Sequence, residues 1–438
     1  MKIGIIGGGI TGLTLAYYLV KNSNNVTIFE KDKELGGLLN SFKVKDFYLE
    51  RYYHHFFKCD IELIKLINSL GLEDRVIWKE TKMGFFANKK IYPFGTPFEL
   101  LKFKPIGIFD RLRFGLTILY LQKLNKWSYL DKITAKEWLK KFSGKRTYKV
   151  LWEPLLRIKF GRKFSDKISA AWIWGRVKPR AKSRSKGLIK EELGYLKGSF
   201  KVLVDKLELE IKNMGGEIRK GEYVKEIKKD ERGKIEINTG NDKSEKFDKV
   251  IFTGPTPLFL KVASKILPEN FKRNLEKIKY QSVVCATFIL NENLSDIYWL
   301  NIADDEIPFG GVIEHTNFIS KENYDDFSIV YLFNYLQKDD KMYNEKDDKI
   351  VEIYKNGLRK IFPNFNENCI ESVFIHRDSY GTPIYVKNYS TLKPNFKTPI
   401  KNLFLANTSM IYPFDRNTNN SVKLGREIAK KILFEINS

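Results

Sequence analysis

Two short apolar runs, Ile3–Ile6 and Val26–Phe29, bracket a glycine turn and a helical pattern that runs from Leu13 to Lys21. The turn reads Gly7-x-Gly9-x-x-Gly12. Strand, turn, helix and strand make one βαβ unit of Rossmann type, and few other folds accept that order at that spacing. The first glycine permits the tight turn. The second lets the backbone approach a pyrophosphate, and the third lets helix and strand pack closely. Ile10 and Thr11 open the helix, whose free N–H groups and positive dipole end attract phosphate. Glu30 closes the second strand, ~20 residues after the turn, where a carboxylate accepts from ribose hydroxyls; Lys31 follows it. These residues predict a dinucleotide site.

A chain of 438 residues, 43% of them hydrophobic, builds more than one domain. The patterns divide it into three parts. A discontinuous dinucleotide-binding domain takes residues 1–77, 195–255 and 371–438. Residues 78–194 read as a mostly helical insertion, and 256–370 as a β-rich substrate domain. Within the first domain, Glu217–Arg219, Val224–Ile227, Lys234–Ile237 and Val250–Thr253 read as strands completing the nucleotide fold, Asn402–Ala406 as a further buried strand, and Val422–Ile436 as the closing helix.

Lys+Arg number 77 against 53 Asp+Glu, a formal charge of +24. Such a field favours anionic partners. The charge is spread along the whole chain, with no basic tail and no zinc-finger spacing, so nucleic acid is not the expected partner; a small molecule is. Cys59, Cys285 and Cys369 stand far apart, which argues against a disulfide framework or a cysteine metal site and for a reducing compartment. No metal site is expected. The glycines interrupt the N-terminal apolar stretch, so it does not read as a signal peptide, and no run of ~20 apolar residues predicts a membrane span. The expected location is the cytoplasm, with peripheral membrane contact as an open alternative.

After Glu30 comes a second glycine pair, Gly36-Gly37, followed by Leu38. The combination GGGITG…FEKDKELGG resembles the flavoprotein superfamily of amine oxidases, protoporphyrinogen oxidases, phytoene-type desaturases and UDP-galactopyranose mutase. The resemblance implies FAD as cofactor. It implies an α/β fold: a Rossmann-type FAD-binding domain of the glutathione-reductase-like kind, with an inserted mixed α+β substrate domain. It also implies that Gly36 and Gly37 pass near the pyrophosphate, that the backbone of Val224 contacts the adenine, and that the turn Thr253-Gly254-Pro255 lies near the cofactor. Many members carry Gly-Asp after the last strand; here Asn407-Thr408 stands instead. Asn407, Thr408 or Asp415 then takes the ribityl chain, and Asn419, Asn420 and Ser421 stand near the flavin pyrimidine edge.

Two segments are candidates for the chemistry. Residues 50–57 (ERYYHHFF) hold two of the four histidines, His54 and His55; one of them beside a flavin could move protons. On an extended strand the two would face opposite ways. The segment 152–161 joins apolar residues to Arg157 and Lys159, with Arg176, Arg180 and Arg184 soon after. That mixture suits an anionic substrate, such as a nucleotide sugar or an isoprenoid pyrophosphate. Residues 94–127 mix aromatics, leucines and cations, and read either as a cap on the cavity or as a basic amphipathic membrane surface. The expected activity is an FAD-dependent oxidoreductase passing hydride to flavin N5. The alternative is a nucleotide-sugar mutase in which reduced flavin is the nucleophile.

Overall fold

A computed structural model of the chain describes residues 1–180 and 192–437. Arg184 lies outside them. The glycine turn joins β1 (Lys2–Ile6) to α1 (Ile10–Val20), and β2 (Asn25–Glu30) lies parallel to β1, with Ile3 opposite Val26 and Ile6 opposite Phe29. These strands carry near-continuous apolar runs, broken in β2 only by buried Thr27, rather than alternation, as strands covered on both faces do. They form the centre of a parallel sheet whose order is Glu217–Lys220, β2, β1, Lys249–Phe252 and Leu403–Leu405. α1 is buried almost all round. It packs against the helices Lys201–Asn213 and Thr418–Asn437.

A second sheet of seven strands stands apart. Its order is Ile370–Pro383, Tyr280–Leu290, Ser328–Leu336, Gly311–Glu314, Trp299–Ile302, Met83–Ala87 and Lys90–Pro93. This moves two of the expected boundaries. The segment 78–194 was expected to be mostly helical, but Met83–Ala87 and Lys90–Pro93 extend the β-rich sheet before the helices begin at Pro97. Strand Ile370–Pro383, expected at the return to the first domain, instead runs antiparallel to Tyr280–Leu290; the chain rejoins the first sheet at Leu403. Val224–Lys229, Ile235–Thr239 and Ser244–Phe247 form an antiparallel sheet of their own, not part of the parallel one. Alternation in a sequence marks a strand. It does not say which edge that strand will pair with.

Helices occupy most of Pro97–Arg180, among them α3 (Pro97–Lys102) and α4 (Ile108–Lys123); α2 (Ile61–Ser69) precedes them. α3 starts from a full capping box, Thr96 with Glu99, and carries Pro97 in its first turn. The helical layer has its own core around Trp138, Tyr148, Phe160 and Trp172. Its helix Ala170–Arg180 lies directly on the turn 413–415: a Cβ at Gly175 would stand 2.0 Å from the Pro413 carbonyl oxygen. That close approach delivers Arg176 to the site described next.

Candidate active site

The glycine turn does two separate jobs. Gly7 has φ +113, and a Cβ there would lie 2.5 Å from Thr253 Oγ1; a Cβ on Gly12 would lie 2.0 Å from the Gly7 carbonyl oxygen. Both glycines are required by the protein itself. Gly9 is different. Its φ of −72 suits any residue, and a Cβ would come no closer than 3.8 Å to any atom of the protein. What that missing side chain keeps clear is the space between the N-terminus of α1 and the backbone of Gly36 and Gly37, which Gly9 meets in an isolated bridge. No side chain caps α1, and its first turn holds no acid. A clear space before an uncapped helix N-terminus fits a pyrophosphate.

Glu30 ends β2 almost wholly buried, its two oxygens accepting from Gly8 N at 2.6 Å and Asp32 N at 2.9 Å. Burial raises its pKa, against those two hydrogen bonds. The carboxylate keeps further lone pairs for a ribose. The chain at 221–222 is tied to this corner, Gly221 N donating to Asp32 O and Glu222 N to Glu30 O, which sets Val224 close by. Lys31 turns to solvent beside Asp32, and Leu38 sits half-buried in the turn Gly37–Leu39. Thr253 Oγ1 donates to Ile6 O and Gly7 O and so holds the glycine turn. Thr11 Oγ1 donates to Ser421 O at 3.3 Å, joining the start of α1 to the start of the C-terminal helix.

At that second helix start, and in the turn after strand Leu403–Leu405, the carboxamides are largely occupied. Asn407 Nδ2 donates to Gly254 O and Thr256 Oγ1, while its Oδ1 accepts from Ser409. Asn407 thus shapes the turn with its side chain. Asn419 caps α2 by accepting from Glu62 N and Leu63 N, and Asn420 Nδ2 donates to Asp415 O.

Residues Asn417–Asn420 form one wall of a cavity of about 670 Å³. Trp152, Trp172, Trp174, Trp299 and Phe333 supply apolar surface; Lys159, Arg176, Lys178, Arg180, Arg416 and Lys423 supply charge. His54 and His55 both line it. The expectation that they face apart fails because residues 51–55 form no strand and the alternation does not apply. His54 Nδ1–H donates to Tyr52 O, and His55 Nδ1 meets Tyr298 Oη at 2.9 Å. Burial and Arg416 lower the pKa of His54 to about 4; burial and Arg180 lower that of His55 to about 3. Both rings are neutral at neutral pH. Arg157 is a correction of another kind. It does not line the cavity but turns out to Ala303 O and Asp305, since helical rotation carries it off the face that Leu156 and Lys159 present.

The charged centre is one that sequence reasoning only half found. Asp415 Oδ2 accepts from Arg176 Nη1 at 2.8 Å, and Lys159 Nζ stands 3.9 Å from Oδ1. Burial would raise the pKa of Asp415, but Lys159, Arg176, Arg416 and Arg180 hold it below the usual value. Tyr335 Oη accepts from Arg416 Nη2 at 3.2 Å and from Lys159 Nζ at 3.4 Å, with the lysine also over its ring. Burial opposes ionisation of this phenol, yet Lys159 and Arg416 outweigh it and lower its pKa. Nothing local in the sequence marks Tyr335, which arrives from the second sheet. Behind the cavity, Glu50 is buried and accepts from Tyr195 Oη and Phe200 N; burial raises its pKa to about 7. Among the described residues no cluster of three or more His, Cys, Asp or Glu could hold a metal.

The family model of flavin containing amine oxidoreductases matches residues 10–433. The coproporphyrinogen III oxidase of Staphylococcus aureus is 26% identical over 317 residues, 65% of this chain and 67% of the relative. The 15-cis-phytoene desaturase of an Oncidium hybrid cultivar is 24% identical over 99% of this chain and 78% of its own. In fold, the chain superposes on reduced UDP-galactopyranose mutase with a TM-score of 0.77, at 16% identity, over 99% and 95% of the two chains.

Proposed function

The chain belongs to the flavin containing amine oxidoreductase family, and from that premise we propose that its cavity oxidises a small molecule with an apolar body and an acidic group. The enzyme is an FAD-dependent oxidoreductase. The observation that carries the finer reading is the continuity of the site. The Thr11–Ser421 bond joins the glycine turn to the start of the C-terminal helix, and the same helix start forms a wall of the cavity.

Gly9 and the N–H groups of Ile10 and Thr11 would hold the pyrophosphate on the turn that Gly7 and Gly12 shape, with Gly36, Gly37 and Leu38 opposite. Glu30 takes the ribose, and the backbone of Val224 the adenine. Thr253 and Asn407 hold the backbone that faces the cofactor. Asp415, Asn420 and Ser421 stand at the flavin end, where the helix dipole favours negative charge. Lys31 contributes backbone only. Bound FAD supplies a hydride acceptor at N5.

A two-electron oxidation removes a hydride and a proton from adjacent substrate atoms, leaving a double bond. The proton needs a base. His54 and His55, with pKa values near 4 and 3, are weak bases that stay neutral. Tyr335, held between Lys159 and Arg416, which favour its ionisation, accepts the proton once ionised and passes it to solvent. Tyr53, Asp415, Lys159 and Arg416 are the ionisable groups around it. The tryptophans hold the apolar body. Six cations against three carboxylates (Asp60, Glu62 and Asp415) in the lining favour an acidic substrate of the coproporphyrinogen kind over a pure hydrocarbon such as phytoene. Three cysteines, all free thiols, suit work in a reducing compartment.

Anaerobic mixing of the FAD-loaded protein with each candidate tests this. Coproporphyrinogen should bleach the oxidised flavin band faster than phytoene; the reverse order overturns the acidic reading. Product from a nucleotide sugar on photoreduced enzyme, without net flavin oxidation, would replace oxidation by the mutase reaction. Tyr335→Phe should slow flavin reduction about 10²-fold. In the wild type the rate should rise with pH as the phenol ionises, below the ordinary tyrosine value. That limb should vanish in the variant, together with the phenolate ultraviolet signal that develops over the same pH range. A retained limb would assign the base elsewhere.

A further inference from the structure

Among the described residues, 14 large apolar or aromatic side chains are exposed, and nine of them lie between Phe98 and Tyr129. Such concentration makes a patch rather than the ordinary scatter of surface apolar residues. α4 turns Phe114, Thr117 and Leu121 inward against the helical layer. Its opposite face presents Ile108, Phe109, Leu112, Leu116 and Leu119, with Phe109 84% and Leu116 67% exposed. α3 adds Phe98, 64% exposed, and Leu101. An amphipathic surface helix normally buries its apolar stripe against the core, but α4 is apolar on two opposite faces. It is buried on one side only.

The charges around the patch indicate what covers the other side. From residue 97 to 127 there are six cations (Lys102, Lys104, Arg111, Arg113, Lys123, Lys126) and two acids, Glu99 and Asp110. Glu99 is spent on the capping box. Arg111 and Arg113 donate to backbone carbonyls, Leu101 and Ile106 for the first and Lys141 and Phe142 for the second, so neither charge is neutralised by a carboxylate there. Tyr120 and Tyr129, joined through their hydroxyls at 3.0 Å, are exposed at the far end. Apolar side chains ringed by cations and by amphipathic aromatics match the boundary between acyl chains and anionic headgroups. No helix among the described residues is long and apolar enough to cross a membrane.

We infer that the outward face of α3 and α4 docks on an anionic lipid surface, with Phe98, Phe109, Leu112 and Leu116 entering the acyl boundary. The cavity reaches the same end of α4. Asn125 lines it, and Lys178, also lining it, donates to Gln122 O and Asn125 Oδ1. A docked enzyme would therefore take an amphipathic substrate directly from the lipid surface. That extension rests on the reading of the cavity given above; the lipid contact itself does not.

Flotation of the full flavin-loaded chain with vesicles tests it. Vesicles of phosphatidylcholine with phosphatidylglycerol should carry the protein, and pure phosphatidylcholine vesicles should carry at least about tenfold less. Phe109→Asp with Leu116→Asp should lower binding to the mixed vesicles more than about tenfold, since each lost apolar side chain is worth about that. An unchanged flavin spectrum would show that the doubly substituted protein is folded. Equal binding to both vesicle types overturns the choice of an anionic surface. Absence of binding, or binding unaffected by the double substitution, overturns the docking. If sedimentation instead shows a dimer that the double substitution splits, with no vesicle binding, the face belongs to a second copy of the chain. Bleaching by substrate plays no part in any of these readings.

Discussion

Gly9 and Gly12 stand three positions apart in one motif, and their surroundings predict opposite consequences for replacing them. At Gly9 the backbone is ordinary and the protein leaves room for a side chain. Gly9→Val should leave folding stability within about 1 kcal/mol of wild type while FAD is lost on desalting, because the valine occupies the pyrophosphate space. A yellow Gly9→Val protein would sink the assignment. Gly12→Val drives a side chain into the Gly7 carbonyl and should cost about 3 kcal/mol in denaturant unfolding. Glu50 supplies a pH dependence. Burial lifts its pKa from 4.5 to about 7. The folded state therefore binds this proton more tightly, and its contribution is fully present below pH 4.5 and lost as pH rises through 7. The loss should approach about 3 kcal/mol. Urea unfolding at pH 5 and pH 8 should show this fall in the wild type and not in Glu50→Gln.

Among the elements, the helix Ala170–Arg180 and the segment 413–421 matter most, because neither makes the charged centre alone. Their approach depends on Gly175, where a Cβ would overlap the Pro413 carbonyl. Gly175→Ala should push them apart at a cost of about 1–3 kcal/mol and draw Arg176 from Asp415. The expected result is a higher KM for an acidic substrate with FAD still bound. An unchanged KM would mean that the Arg176–Asp415 pair does not shape the site. The helical pattern of this element is visible in the sequence, and so is the DRNTNN turn. Their contact is not, since residues 176 and 415 are brought together only by the packing of two layers.

Across the whole molecule, the parallel sheet, the seven-stranded sheet and the helical layer meet around the cavity. Cofactor binding therefore couples parts distant in sequence. FAD at about 100 times its Kd should add about 2.7 kcal/mol of stability. Its removal should lower Tm and weaken amide protection both at residues 7–12 and at 417–421. Loss of protection at the glycine turn alone would show that the Thr11–Ser421 link does not couple the two ends of the site.

The turn read as the AMP end of the site was legible as a backbone feature without a structure because its rules are local: a strand, three glycines, a helix start and a carboxylate one strand later, all within 30 residues. The resemblance carried by Gly36-Gly37 extended that reading to FAD. Lys159, His54 and His55 were named from composition and do reach the cavity, while Arg157, two residues from Lys159, does not. Tyr335 could not be found that way, because a phenol between two cations arises only when a strand of one sheet, a helix of the insertion and the turn before the last helix are folded together. Local backbone chemistry carries the expectation of where the dinucleotide lies. Which charges surround the substrate depended on side chains converging from separate layers, and only the tertiary packing decided that.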